Sequence, residues 1–168
     1  MRPRPSFLHR LWTVAVLALA LTACGGVGTG SPGVDTRVAS ELLALVNIAR
    51  AEGRTCGARG TFAPTHPLAL DARLVAAVDA HARDLAERGV LSHTGGDGSD
   101  PGERIARTGY VPATWGENAA AGYPDVESVM AGWLGSDGHC ANLMNPAFED
   151  FGGAAAERMW VQVFARPR

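Results

Sequence analysis

DFGGAAAERMWVQVFA, residues 150–165, is the stretch that decides the fold. It reads as two strand-like runs, 150–156 and 159–165, and in the second Trp160, Gln162 and Phe164 alternate with Val161 and Val163. A period of two sends alternate side chains to opposite faces of a strand. Upstream, WGENAAAGY at 115–123 also reads as extended. The other patterned segments are helical. Asp35 and Thr36 are N-cap residues ahead of Val38, Leu42, Leu45, Val46 and Ala49, which recur at helical spacing until about residues 50–53. Asp71 caps a second helix whose stripe is Leu74, Val78, His81 and Leu85, and Gly89 ends it. Asp100 precedes Pro101 at the first position of a short helix reaching 105–108. Asp125 caps a fourth helix with Val126, Val129, Met130 and Trp133 on its apolar side, and Pro146 closes the region after it. Residues 54–67 and 91–101 read as loops. Helices early and strands late argue for an α+β fold with a small antiparallel sheet, not a βαβ repeat.

The N-terminus addresses the compartment. Arg2, Arg4 and Arg10 precede an uncharged run, 11–23, which ends in Leu21-Thr22-Ala23-Cys24. Basic region, apolar region and small-residue cleavage site form the order of an export signal. The run is too short to span a bilayer, which takes roughly 20 residues. The Cys after Leu-Thr-Ala matches a bacterial lipobox, with cleavage before Cys24 and a lipid on its sulfur. The expected organisation is a lipoprotein signal peptide at 1–23, a flexible Gly/Ser-rich tether at 24–33 and one domain at 34–168. The expected location is outside the cytoplasm, anchored through Cys24 to a bacterial membrane. Gly25 rather than Asp after the Cys selects the outer membrane where the host has one.

Composition narrows the partners. Net charge is −2, the chain has no Lys, and Arg clusters nowhere after the leader, which argues against nucleic acid. With Cys24 lipidated, Cys56 and Cys140 remain, and an even pair in an oxidising compartment reads as a disulfide. Two free buried thiols, or a Cys140–His139 nucleophile pair, are the alternatives. Neighbouring helical residues point apart, which counts against the nucleophile.

Three segments place a titratable or polar side chain beside small residues: Ser92-His93-Thr94, Gly116-Glu117-Asn118 and Gly138-His139-Cys140-Ala141-Asn142. Two imidazoles and a carboxylate can hold a divalent ion such as zinc with one position left open. No His-x-x-His or His-Glu-x-x-His spacing ties the three together. The plainer readings are a His93–Glu117 hydrogen bond that pins a loop to the sheet, and a His139 at a helix C-terminus favoured by the macrodipole. His81 on an apolar stripe reads as a satisfied core or boundary histidine, His66 as loop surface, and Arg104 with Asp97 as a surface pair. Ser92 and Ser136 lack the Gly-x-Ser-x-Gly context of a hydrolase nucleophile.

Taken together, the Ser92-His93 segment, GENAAAGY at 116–123, WLGSDGHCANLMNP at 133–146 and MWVQVF at 159–164 resemble the CAP superfamily of cysteine-rich secretory, antigen-type and pathogenesis-related proteins, in its bacterial SCP-like branch. The resemblance runs from about residue 38 to 164. It implies an α-β-α sandwich with a cleft lined by His and Glu. It matches His93 to the first family histidine, Glu117 to the glutamate of Gly-Glu-Asn with Asn118 beside it, and His139 to the bacterial helix-side histidine. The second glutamate and second histidine of the animal and plant pattern would fall at Ser136 and Met159, so the full tetrad is absent. Three function classes follow: a non-catalytic surface module binding a lipid, an ion or a wall component through His93, Glu117, Asn118 and His139; a metal-assisted hydrolase using His93, Glu117 and His139; or a structural lipoprotein with a vestigial cleft.

Overall fold

The computed structural model describes residues 36–168; the signal at 1–23, the tether at 24–33 with Cys24, and Asp35 lie outside the described residues. The first helix, α1 (Arg37–Glu52), buries Ala39, Leu42, Val46 and Ala49 along one face. The 54–67 stretch, expected as loop, contains a small antiparallel hairpin of β1 (Arg54–Thr55) and β2 (Thr61–Phe62) around a 3₁₀ turn. Strands of two residues are too short to leave an alternation in sequence. A third short strand, β3 (Ala69–Leu70), leads into α2 (Ala72–Arg88), whose first turn is capped by the Asp71 carboxylate. Gly89 ends α2 in the left-handed region at φ 64°, where only glycine is free of penalty.

The short α3 (Pro101–Arg107) starts with a reciprocal capping box between Asp100 and Glu103. Then follow β4 (Pro112–Ala121), α4 (Val126–Leu134) capped by Asp125, α5 (Asp137–Met144), β5 (Asp150–Ala156) and β6 (Met159–Pro167). The main sheet has the order β3-β5-β6-β4. Its β4–β6 and β5–β6 pairs are antiparallel, as expected, but β3 pairs parallel with β5. The parallel pair arises because β3 is docked by Ala69 N–H on Glu149 O and Asp71 N–H on Phe151 O at the entry to α2.

Helices cover both faces of this sheet. Val161, Val163 and Ala165 pack with Leu74, Val78, Leu85 and Ile105 of α2 and α3. On the other face Phe151, Trp160 and Phe164 pack with Leu42, Val46, Val129 and Trp133 of α1 and α4. A Cβ at Gly152 would lie 2.4 Å from the Leu74 carbonyl carbon, so α2 rests directly on the backbone of β5. This is the α-β-α sandwich that the resemblance implies, within the α+β class that the residue pattern implies.

Two cross-links hold α5 to the rest. Cys56 and Cys140 are disulfide-bonded with Cα atoms 5.4 Å apart, and Ala58 N–H donates to Asp137 Oδ2 at 2.9 Å beside them. The fully buried Arg50 of α1 donates to the carbonyls of His66, Leu143 and Asn145 at 2.9, 2.8 and 3.0 Å. Burial without a carboxylate partner pulls the Arg50 pKa down to about 10.

Candidate functional site

The site forms at β4, an edge strand that pairs only with β6. Along a strand, neighbours face opposite ways. Glu117, in register with Val163, faces α2 and α3, while Asn118, in register with Gln162, faces the layer of α1, α4 and α5. The two residues therefore serve different networks.

Glu117 is 3% exposed, and both its oxygens are engaged. His93 Nδ1–H donates to Oε1 at 2.7 Å, and Arg104 Nη2–H donates to Oε2 at 2.8 Å. Arg104 Nη1 also donates to the His93 and Ser99 carbonyls at 3.0 and 2.8 Å. The guanidinium thus grips both the carboxylate and the loop that carries His93. This corrects the expected surface pair of Arg104 with Asp97: Arg104 is buried on Glu117, and Asp97 pairs with Arg107 instead. A carboxylate buried this deeply requires a cation, and α3 supplies the one that the sequence leaves unmarked. The His93 ring is 58% exposed, and its Nε2 has no protein partner among the described residues.

His81 of α2 lies under the same carboxylate, 1% exposed, with Nε2 3.9 Å from Glu117 Oε1. Its Nε2–H donates to Ser92 O at 3.0 Å, but Nδ1 has no partner. The expected core histidine is therefore buried but only half satisfied.

Asn118 is fully buried and spends both side-chain polar atoms on position. Its Nδ2 donates to His139 O at 3.1 Å, and its Oδ1 accepts from Asn142 Nδ2 at 2.9 Å. Asn142 also donates to the Glu117 carbonyl at 3.3 Å, tying α5 to β4. His139 sits in the first turn of α5, not at a helix C-terminus as expected, because Gly135 and Ser136 end one helix and start another. The half-buried His139 has its pKa lowered by burial and then by the nearby His93. The positive end of α5 acts in the same sense.

Both oxygens of Glu117 being taken, it is poorly placed to ligate a metal directly. Among the described residues no group of three or more His, Cys, Asp or Glu is arranged to hold a metal ion. The donors left for a cation are the two imidazoles, with Glu117 as the hydrogen-bond partner that orients one of them.

Residues 43–164 match the sequence model of the cysteine-rich secretory protein family, CAP. YkwD of Bacillus subtilis (strain 168) is 30% identical over 100 residues, which are 58% of this chain and 39% of YkwD. An extracellular protein of Bacillus anthracis containing an SCP domain superposes with a TM-score of 0.68 at 27% identity, over 76% of this chain and 39% of that one. An outer surface protein of Borrelia burgdorferi superposes with a TM-score of 0.65 at 21% identity, over 80% of this chain and 97% of that one. The matched part thus spans about two-fifths of each Bacillus protein.

Proposed function

The chain belongs to the cysteine-rich secretory protein (CAP) family, and on that footing we propose that it is a lipid-anchored, non-catalytic binding module of the bacterial envelope, in which His93 and His139 take up a divalent cation such as zinc. The observation that carries this reading is the engagement of Glu117. With Arg104 on one oxygen and His93 on the other, the carboxylate is neither a free base for water nor a free ligand. It does what the partner of a metal-bound histidine does: it fixes the ring so that Nε2 faces outward. His139, held by Asn118 and by the Cys56–Cys140 bridge behind it, keeps its proton off at neutral pH, which is the ligating form.

A bound cation would supply a Lewis-acidic contact for an anionic or carbonyl-bearing partner. Anchoring rests on Leu21-Thr22-Ala23-Cys24, and the extracellular and surface placement of the Bacillus anthracis and Borrelia proteins supports the same side of the membrane. No described helix is long and apolar enough to cross a membrane.

Calorimetric titration of the protein with Zn²⁺ tests the reading. Saturable binding is expected, weakened at least tenfold by His93→Ala and by His139→Ala. An unchanged affinity in both variants, or no binding in the wild type, overturns it.

A further inference from the structure

We infer that the open groove between α3 and the start of β4 is a second binding site, and that its ligand is a neutral saccharide seated by one face on Trp115. The groove measures about 670 Å³, and none of its lining residues is His93, Glu117 or His139. Ligand pockets commonly measure about 300–1,000 Å³.

The floor is apolar and open to solvent. Trp115 is 40% exposed and Val111 58%, and both line the groove. The other two described tryptophans, Trp133 and Trp160, are buried. An indole left in water forfeits the burial of a large apolar surface, and apolar surface rimmed by polar groups marks a contact site. The seat of the ring is specific. A Cβ at Gly102 would lie 2.6 Å from Trp115 Nε1 and 3.3 Å from Asp100 Oδ1. The indole therefore lies over the first turn of α3 with that carboxylate beside it, an approach that only glycine permits.

The rim holds unspent acceptors. Asp100 Oδ1 and Glu103 Oε2 are used in the capping box, at 2.8 and 2.9 Å. Asp100 Oδ2 and Glu103 Oε1 are left without a protein partner among the described residues. Both residues are exposed and line the groove, so a ligand there reaches them. Thr114 and Arg168, which carry donors, line it as well. The acidic pair disfavours an anion, and Arg168 disfavours a lone cation. A neutral ligand with an apolar face and hydroxyls around its edge suits all of these groups. A pyranose with equatorial hydroxyls has that form. Its axial C–H bonds point at the electron-rich face of the indole, and its rim hydroxyls donate to the carboxylates in charge-assisted bonds.

Cellotriose, whose β-linked glucose rings carry equatorial hydroxyls, is titrated into the full chain with EDTA present, so that no cation at the histidines contributes. Calorimetry reads the affinity, and ¹H–¹⁵N NMR follows the Trp115 indole N–H. Saturable binding that shifts this signal is expected. Trp115→Ala, a change at an exposed position, should weaken binding at least about tenfold. Asp100→Asn and Glu103→Gln, which keep the helix cap, should each weaken it about threefold. No saturable binding up to about 20 mM cellotriose, full affinity in Trp115→Ala, or tighter binding of tetramethylammonium than of cellotriose overturns the inference.

Discussion

Arg104 donates to Glu117 Oε2 at 2.8 Å, and its other terminal nitrogen donates to the carbonyl of His93, whose ring holds the remaining Glu117 oxygen. The three residues close a ring of hydrogen bonds between α3, the 91–101 loop and the edge strand. Stability and site geometry are coupled through it. Arg104→Met leaves a buried carboxylate without its cation, which costs about 3–5 kcal/mol. Urea denaturation should show that loss, and Glu117→Gln in the same chain should recover part of it. Losses in the double variant that simply add would contradict the pairing.

The buried Arg50 offers a second stability test. Arg50→Met removes the only side-chain donor on the carbonyls of Leu143 and Asn145 among the described residues. Leu143 O is left bare at a cost of about 1–3 kcal/mol, while Asn145 O keeps the Phe148 N–H at 3.4 Å, so a loss of at least about 1 kcal/mol is expected. A urea midpoint within experimental error of the wild type would show that these carbonyls find other partners.

Cys56 and Cys140 are 84 residues apart, and the bridge restricts a long loop in the unfolded chain. Cys56→Ser with Cys140→Ser should cost about 2–4 kcal/mol. It should also broaden the NMR signals of His139, the residue preceding Cys140. Two alkylatable thiols in protein exported by its host would remove the prediction's premise.

The pH dependence has a definite sign. Burial holds the pKa values of both His81 and His139 below the ordinary 6.5. As pH falls from about 6.5 toward those lowered values, the unfolded chain binds protons that the folded chain refuses, so stability falls. The histidine contribution is complete above about pH 7 and is lost through the folded-state values. The urea midpoint should drop between pH 7 and pH 5, with a shallower slope in His81→Phe. A midpoint flat over that window would mean that neither ring is held neutral by the fold.

The turn joining β5 to β6 is strained in a correctable way. Glu157 and Arg158 both have positive φ, 45° and 68°, the geometry of a two-residue hairpin that favours Asn and Gly. Glu157→Asn should raise stability by about 0.5–1 kcal/mol while leaving the Arg158 contact to Gly122 O intact. Thermal melts would reveal the gain as an upward shift of a few degrees.

The sequence disclosed what local rules govern. Asp71, Asp100 and Asp125 each announced a helix because capping acts within one turn, and Leu74, Val78, His81 and Leu85 formed a stripe because burial follows helical period. Residues 150–165 gave the central hairpin because alternation of large side chains survives over a long strand. The parallel β3 was invisible because two residues carry no period. The break at Gly135-Ser136, which puts His139 in a first turn, was hidden because both flanking segments are helical. His93 and Glu117 were legible as polar residues beside small ones. Arg104 was not, since nothing near it in sequence marks which arginine a buried carboxylate will draw in.

The most direct test of the binding role of His93 and His139 is a crystal structure grown with Zn²⁺, with diffraction recorded on both sides of the zinc absorption edge. The expected result is one anomalous peak in contact with His93 Nε2 and the His139 ring, with Glu117 still bonded to Arg104 and His93 Nδ1. Zinc found only at other residues, or no anomalous peak at saturating Zn²⁺, would contradict it.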